Sequence, residues 1–338
     1  MELLVRVNLG KIRRNLRAVR TLTCGKVLLM VKADGYGHGM TEVARAVEDE
    51  VDMFGVAVTE EGRKLRECGV TAPVLVAVCP PEEYGEAAAL GLTVAVSDDC
   101  GLRKLAEMTA PPEFHLKFDT GMHRLGFAPE RADGVLYFLR ERGLVPAGCY
   151  SHFREPCAEQ LEVFSDIAAR ARQVFPDVLL HIASSGTVGY PAARFDMVRV
   201  GHAAYGGAMS VESRVVAVRH VKAGECVGYG HFTLGKDSDI AVVFGGYYDG
   251  VRRGSPAVAV IGGRRCPSLG SVCMDMFAVD VGDTVCSVGD RAILMGKELP
   301  ASEIAAMRGT VDYDVMTGWT GRVKRIYYDD QAGGETEG

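Results

Sequence analysis

The sequence predicts a (β/α)8 barrel followed by a second, mostly β domain. Short apolar runs alternate with amphipathic segments of helical length between residues 27 and 200. After about Met209, β-rich stretches recur with glycine-rich turns and no long helices between them. Polar side chains also collect at the ends of the apolar runs, which is where barrels carry their sites. The predicted domains are residues 10–210 and 211–330, with the N-terminal strand 1–9 joining the second.

Eight apolar runs are candidates for the barrel strands, because each is short and bounded by polar residues or glycine. They are 27–32, 53–58, 74–78, 92–96, 114–119, 147–151, 178–182 and 195–200. Helical spacing is found in segments 11–22, 59–68, 130–142 and 158–174. A doubly wound open sheet is the alternative arrangement of the same alternating units. In the second domain, strands are predicted at 214–221, 239–244, 257–261 and 276–281, and the polar tail 331–338 is expected to fray.

Composition excludes several functional classes. The 338 residues carry a net charge of -6 and only short pairs of adjacent arginines, which argues against a general nucleic-acid binder. No apolar run approaches the length of a membrane helix, and the N-terminus lacks the pattern of a signal peptide, so a cytoplasmic location is expected. The ten cysteines are scattered without a C-x-x-C pair. Free thiols are therefore expected, and no metal site.

The stretch from Val31 to Met40, V-K-A-D-G-Y-G-H-G-M, is the most informative in the chain. Lys32 ends a predicted buried strand, where a charged amine is costly to desolvate. That cost is tolerable if the amine is neutral or carries an imine. Glycines let backbone approach a bound group, and Tyr36 could donate a hydrogen bond to a phosphate. The alternative is a solvated lysine at the end of a strand.

Further polar residues follow the later strands. Lys117 and Asp119 end the fifth; Ser151 and His152 end the sixth; Ser184, Ser185 and Gly186 follow the seventh; Arg199, Gly201 and His202 end the eighth. Hydroxyls and amides after strands seven and eight are typical of phosphate sites in barrels. Each has a structural alternative: a helix cap for the serines, a core histidine for His152, or an ion pair between Arg199 and Asp196. Their shared position favours a site.

Several blocks then resemble the alanine racemase family, which binds pyridoxal 5'-phosphate (PLP). Besides the block at Lys32, they are H-L-K-F-D-T-G-M with R-L-G (115–126), S-H-F (151–153), D-M-V-R-V-G with Y-G (196–206), V-G-Y-G (227–230), G-Y-Y-D-G (246–250) and V-C-M-D (272–275). They run in family order from Lys32 to Asp275, and together they are highly specific. The resemblance implies a barrel plus a β domain and an amino-acid racemase that works as a homodimer with shared active sites.

The resemblance also implies residue roles. Lys32 would carry PLP through an imine and act as one base, and Tyr247 would be the second base, supplied by a partner subunit. Cofactor contacts are implied for Tyr36, Ser185, Gly201 and His202 at the phosphate, Arg199 at the pyridine nitrogen, His152 at the ring, and Arg124 at the phenolic oxygen. Lys117, carbamylated in many family members, would orient Arg124. The Met274 amide, with Arg124, would receive the substrate carboxylate, and Asp275 would support it.

These roles agree with the chemistry of racemisation, in which a proton leaves one face of Cα and returns on the other. Two opposed bases do this directly. An arginine at the pyridine nitrogen stays protonated, weakens the electron sink and favours reprotonation over side reactions. Decarboxylases of the same plan usually place an acid there, so Arg199 argues against that alternative. A PLP carrier without turnover is a further alternative, which Tyr247 and Met274 disfavour.

Departures from the family pattern leave the substrate less certain than the chemistry. Gly321 stands where the family has a tyrosine before R-V-P-R, Ser271 replaces an arginine, and Tyr248 occupies a position that is usually small. Glycine at position 321 is expected to leave room beside the substrate side chain. Racemisation of alanine is the leading prediction, and serine or a broader set of small amino acids is the alternative.

Overall fold

The computed structural model describes residues 2–230 and 232–330 of the chain; the tail 331–338 lies outside this part. The described residues form two compact units. One comprises Arg13–Gly35 and Met40–Ala204, and is called the barrel unit below. The other comprises Tyr205 onward together with Tyr36–Gly39 and the N-terminal residues up to Ile12, and is called the C-terminal unit.

The barrel unit contains the eight parallel strands that the sequence predicts. They are Lys26–Met30, Met53–Val56, Val74–Val76, Thr93–Val96, Phe114–Lys117, Gly148–Tyr150, Leu179–His181 and Met197–Val200. Each of the first six strands pairs in parallel with the next, and the eighth pairs in parallel with the first. Two backbone bonds, Asp196 N to Leu180 O at 3.0 Å and Arg199 N to Ala183 O at 3.1 Å, join the seventh strand region to the eighth. The sheet is therefore closed, and the barrel prediction is confirmed over the open-sheet alternative.

Six of these strands contribute to one apolar cluster. Its buried members are Leu28, Met53, Leu75, Ala95, Tyr150 and Met197, with Met30 packed against it. The strands are buried along almost their whole length, as expected when helices cover a parallel sheet. That requirement explains why the strands read as continuous apolar runs in the sequence.

Right-handed helices alternate with the barrel strands, and two more lie near the C-terminus. They are Leu9–Arg20, Met40–Val47, Thr59–Glu67, Tyr84–Ala89, Asp99–Glu107, Ala132–Glu141, Ala158–Val174, His202–Tyr205, Ala301–Arg308 and Asp312–Thr317. Local chemistry fixes some of their ends: Asp98 caps the helix Asp99–Glu107 by accepting from Gly101 N at 2.9 Å. None of the helices in residues 2–230 and 232–330 is long and apolar enough to cross a membrane.

The C-terminal unit is built on an eight-stranded sheet. Across the sheet the order is Ser238–Phe244, Met276–Asp280, Arg264–Leu269, Val258–Ile261, Arg291–Met295, Met209–Val221, Leu3–Asn8 and Val323–Tyr328. The long strand Met209–Val221 also pairs with Ser238–Phe244, so the first six strands close on themselves. A register shift between Val215 and Ala217 lets this strand serve both neighbours. All ten cysteines of the chain are free.

Candidate active site

Lys32 lies two residues beyond the first barrel strand and begins an unusual turn. The four residues after it, Ala33 to Tyr36, all have left-handed backbone angles, with φ between 53° and 62°. Ala33 and Tyr36 are strained there, because a Cβ crowds the following carbonyl. Hydrogen bonds hold the turn: Ala33 N donates to Glu61 Oε1 at 2.8 Å, and Gly35 N donates to Val31 O at 2.7 Å. These bonds fix the backbone immediately after Lys32.

The surroundings of Lys32 destabilise the charged form of its amine. Burial lowers its pKa, the positive charge of Arg124 lowers it further, and Glu61 only partly opposes both. A lowered pKa increases the neutral fraction of the amine, which is the form that acts as a base or forms an imine, above that of a solvated lysine.

Arg199 is buried beneath the carboxyl ends of the strands. Its Nη2 donates to Ser151 O at 2.7 Å and contacts His152 Nδ1 at 3.1 Å. Its Nη1 lies 2.6 Å from His181 Nδ1. Burial lowers the pKa of Arg199 to about 10, so the guanidinium remains charged at neutral pH. All its hydrogen-bond partners in the described residues are carbonyls or imidazoles, so its charge is not neutralised by a carboxylate.

Two buried histidines, His181 and His115, extend the hydrogen-bond chain that begins at Arg199. Because the guanidinium can only donate, His181 Nδ1 accepts, and its proton must be on Nε2. That Nε2–H then donates to His115 Nδ1, 2.9 Å away. Burial, followed by the charge of Arg199, lowers the pKa of His115 to about 3 and that of His181 well below its usual value. Both imidazoles are therefore neutral, and Tyr150 stacks on His181 with ring centres 4.7 Å apart.

Asp119 holds the loop that carries Arg124, and Lys117 lies buried within range of the Arg124 charge. Asp119 accepts from the backbone of all four residues from Gly121 to Arg124, at 2.9–3.1 Å, and so fixes the loop that carries Arg124. Lys117 is 6% exposed, and its Nζ lies 5.2 Å from the centre of the Tyr150 ring. Burial, then Arg199, then Arg124 lower the pKa of Lys117 to about 8.

His152 marks the point where the positive charges converge. Burial is the largest cause that lowers its pKa to about 3, and the charges of Arg199, Arg124, Lys117 and Lys32 contribute in that order. A neutral imidazole surrounded by cations, with no carboxylate contributing to the shift, indicates a site of positive potential. The arrangement is suited to an anionic ligand.

Backbone amides gather near Ser185, after the seventh strand. Gly201 N and Ala203 N donate to Ser185 Oγ at 3.0 and 3.2 Å, and His202 lies between them in the chain. Grouped amides of this kind suit a phosphate. Tyr36, in the C-terminal unit, is half-buried and stacks on Tyr205 with ring centres 5.1 Å apart. Burial, then Tyr313, raise the pKa of Tyr36, so its phenol stays protonated and can donate.

The C-terminal unit presents Tyr247 and Met274 on adjoining segments. Tyr247 N donates to Cys273 O at 3.0 Å, and Tyr248 N donates to Met274 O at 3.3 Å. The Tyr247 and Met274 side chains are 38% and 52% exposed. Asp275, next in the chain, pairs with Arg322 at 2.8 Å.

The expectation that Gly321 leaves an open space is wrong. A Cβ at this position would lie 2.5 Å from Tyr248 O and 2.9 Å from two carbons of the Tyr248 ring. Tyr248, the other departure from the family pattern, fills the space. A tyrosine at 321 could not be accommodated without moving residue 248, and the steric reason for expecting serine turnover disappears.

The structure groups the sequence-predicted residues in two sets. In the barrel unit are Lys32, Lys117, Arg124, His152, Ser185, Arg199, Gly201 and His202; in the C-terminal unit are Tyr36, Tyr247, Met274 and Asp275. Sequence reasoning assigned no role to Glu61, His115, His181, Asp249, Tyr313 or Arg322. His115 stood in a quoted block and His181 in the predicted strand 178–182, but only the fold shows that both are linked to Arg199 by hydrogen bonds. No cluster of three His, Cys, Asp or Glu suited to a metal is found in the part of the chain that the structure describes.

A closed parallel barrel with a half-buried lysine and a cationic cluster at its strand ends is the architecture of a barrel enzyme. Two family models cover the chain: the alanine racemase N-terminal domain matches residues 7–209, and the C-terminal domain matches 208–327. The chain therefore belongs to the alanine racemase family, which is PLP-dependent.

Individual relatives agree with this assignment. The alanine racemase of Vibrio cholerae is 35% identical over 355 residues, covering 95% of this chain and 97% of its own length. The biosynthetic alanine racemase of Escherichia coli is 36% identical, covering 96% of this chain and 99% of its own. The crystal structure of biosynthetic alanine racemase from Pseudomonas aeruginosa matches with a TM-score of 0.89 at 32% identity, covering 97% and 100% of the two chains.

Proposed function

We propose that this chain is a PLP-dependent racemase that interconverts L- and D-alanine, with Lys32 and Tyr247 as two opposed bases. The observation that carries the proposal is Lys32: a half-buried lysine on a fixed turn, with its pKa lowered by burial and by Arg124. Family membership supports the reaction class, and the strand-end geometry supports the choice of the barrel residues.

The residues present fit PLP. Arg199 is a buried cation with no carboxylate partner among the described residues, and the amides of Gly201 and Ala203 meet at Ser185 Oγ. The Arg199 guanidinium suits an electron-rich ring nitrogen, and the two amides suit a phosphate. The residues that would hold PLP are Lys32 covalently, Tyr36, Ser185, Gly201 and His202 at the phosphate, Arg199 at the ring nitrogen, His152 at the ring and Arg124 at the phenolic oxygen.

When bound, PLP supplies the electron sink that makes the substrate Cα–H acidic. Arg199 limits that sink, because a guanidinium with a pKa of about 10 keeps its proton at neutral pH and leaves the ring nitrogen unprotonated. The neutral His181 and His115 hold Arg199 in place without taking its proton. Return of a proton to Cα is then favoured over transamination or elimination.

The proton transfers belong to Lys32 and Tyr247. Lys32 takes or returns the α-proton on one face, and Tyr247 does so on the other. The Met274 amide and Arg124 receive the substrate carboxylate, which fixes Cα between the two bases. Lys117, as the amine or as a carbamate, orients Arg124, and Asp275 holds the segment that carries Met274.

We further propose a homodimer in which Tyr247 of the partner subunit completes each site. Tyr247, Tyr248 and Met274 are exposed large side chains on adjoining segments of the C-terminal unit, which is typical of a surface that another chain covers. Mixing inactive Lys32→Ala with inactive Tyr247→Phe protein should restore activity, because a mixed dimer holds one intact site. No recovery despite demonstrated subunit exchange would contradict the shared site.

Alanine is the proposed substrate, and the filled space at Gly321 gives no reason to prefer serine. The test is conversion of L-alanine to D-alanine by the PLP-loaded protein, followed by chiral chromatography, with L-serine in parallel. Lys32→Ala should abolish conversion, and borohydride should label Lys32 in the parent. Faster turnover of serine, or labelling of another lysine, would overturn the assignment.

The ten free thiols support a reducing compartment, so we propose a cytoplasmic location.

A further inference from the structure

Arg322 joins two segments of the C-terminal unit that the proposed function places in the active site. One is the turn Gly245–Gly250, which carries Tyr247, and the other is Ser271–Asp275, which carries Met274. The Arg322 guanidinium reaches a carboxylate in each: Nη2 lies 2.7 Å from Asp249, and Nη1 lies 2.8 Å from Asp275. These contacts all lie within the C-terminal unit.

Asp249 is the buried end of this arrangement. Its side chain is fully buried, and it accepts from Gly246 N at 3.1 Å as well as from the backbone N and Nε of Arg322 at 3.2 and 3.0 Å. Burial alone would raise the pKa of Asp249, but the hydrogen bonds from Arg322 and Gly246 outweigh it and lower the pKa. The carboxylate is therefore an anchored anion, and it fixes the turn one residue before Tyr247.

Two aromatic rings hold the guanidinium between the carboxylates. The Arg322 Cζ lies 5.4 Å from the centre of the Phe244 ring and 5.2 Å from that of Tyr248. The absence of a side chain at Gly321, whose φ is +65°, allows the Tyr248 ring to lie this close. The glycine and the tyrosine, the two departures from the family pattern, thus act together around Arg322.

We infer that Arg322 is a positioning residue for Tyr247, and this inference rests on the proposed function. The turn that carries Tyr247 is fixed on one side by Asp249 and on the other by the backbone bonds of Tyr247 and Tyr248 to Cys273 and Met274. Arg322 ties both sides together through Asp249 and Asp275. Without it, the separation of the two segments is held by backbone bonds near an exposed surface, and the Tyr247 hydroxyl loses its fixed distance from the substrate.

The inference predicts an asymmetric defect. Arg322→Gln should lower kcat/KM for racemisation by about 100-fold, the scale of a misplacement of about 1 Å. Lys32 is in the barrel unit and does not contact Arg322, so exchange of the α-proton of one enantiomer with deuterated solvent should continue within a few-fold of the parent rate. A merely structural role would lower both activities together. Arg322→Lys, whose single ammonium replaces a fork that spans two carboxylates, should be intermediate.

Two further variants keep the test decisive if Arg322→Gln folds poorly. Asp275→Asn removes only the exposed arm and leaves the bonds to Asp249, and it should lower racemisation about 10-fold with unchanged one-sided exchange. Lys324→Gln, two residues further along the chain, is the matched control and should behave as the parent, because among the described residues Lys324 pairs with exposed Glu2 alone, at 3.4 Å.

The outcomes separate the inference from the proposed function. If the parent protein does not racemise alanine, the proposed function fails first. If the parent is active and Arg322→Gln and Asp275→Asn match it, the inference alone is overturned. Parallel loss of racemisation and one-sided exchange in Asp275→Asn, at an unchanged Tm, would also overturn it. Loss of racemisation with retained one-sided exchange is the result expected if Arg322 positions Tyr247.

Discussion

Replacing Lys117 by methionine should stabilise the protein at neutral pH when the lysine is unmodified. Lys117 is 6% exposed, and burial together with Arg199 and Arg124 lowers its pKa from 10.5 to about 8. This difference corresponds to about 3 kcal/mol of unfolding free energy lost while the buried amine is charged. Methionine fills similar space without the charge, so Lys117→Met should recover most of that amount at pH 7.

The pH dependence gives the sign of the effect. Below pH 8 the lysine is protonated in both the folded and the unfolded chain, and the full penalty applies. Between pH 8 and 10.5 the folded chain releases the proton first, so the stability of the parent rises relative to that of Lys117→Met. Above 10.5 the penalty is absent. The gap between the two proteins should therefore close as pH rises through this window.

Urea unfolding of both proteins from pH 7 to 10, in buffers free of carbon dioxide, measures this gap. Lys64→Met, at an exposed position, controls for the loss of a lysine. Added bicarbonate should stabilise the parent and not Lys117→Met, because a carbamate exchanges the buried cation for an anion beside Arg199 and Arg124. A gap that does not change with pH would refute the argument that burial of a charged Lys117 costs stability.

Three other substitutions follow from local geometry. Ala33→Gly should raise stability by about 1 kcal/mol, because Ala33 is left-handed at φ 53°; a lower Tm would contradict the strained turn. Gly321→Ala should destabilise by about 1–3 kcal/mol, since its Cβ would meet Tyr248 O at 2.5 Å, and a parent-like Tm would show that Tyr248 does not fill that space. His181→Leu should lower the free energy of unfolding by about 2–4 kcal/mol, because Arg199 Nη1 is left with fewer acceptors. An unchanged Tm would show that the Arg199–His181 bond does not stabilise the protein.

The barrel could be predicted from the sequence because all its strands share one burial pattern. Each strand is buried on both faces, so each reads as a short apolar run, and the helices between them show a separate period. The observed strands differ from the predicted ones mainly by ending one or two residues earlier, as at Lys26–Met30 and Phe114–Lys117, where polar site residues follow.

The C-terminal sheet could be predicted only in part from the sequence. Its strands Arg264–Leu269 and Val323–Tyr328 are half exposed and contain arginines and a lysine, so they carry no continuous apolar pattern. The helices Ala301–Arg308 and Asp312–Thr317 are short, and the first is weakly amphipathic, so no clear helical period reveals them. Closure of six strands by Met209–Val221 depends on a register shift that no residue pattern announces.

The candidate site could also be predicted only in part from the sequence. Residues at strand ends could be named from sequence, because a parallel barrel brings all those ends to one face. The sequence could not show the left-handed backbone at Ala33 or the donation from Arg199 through His181 to His115, since both depend on tertiary packing. Gly321 was misread because the residue that fills its space, Tyr248, is 73 positions away in the chain.

The division of labour between Lys32 and Tyr247 is the central claim, and solvent exchange tests it most directly. Tyr247→Phe protein loaded with PLP should be incubated with each enantiomer of alanine in deuterated water, with deuterium at Cα and enantiomeric composition both followed. The account predicts that racemisation is nearly abolished, while one enantiomer still gains deuterium with its configuration retained, because Lys32 remains as the base on that face. Racemisation at the parent rate, or the same loss of exchange for both enantiomers, would contradict it.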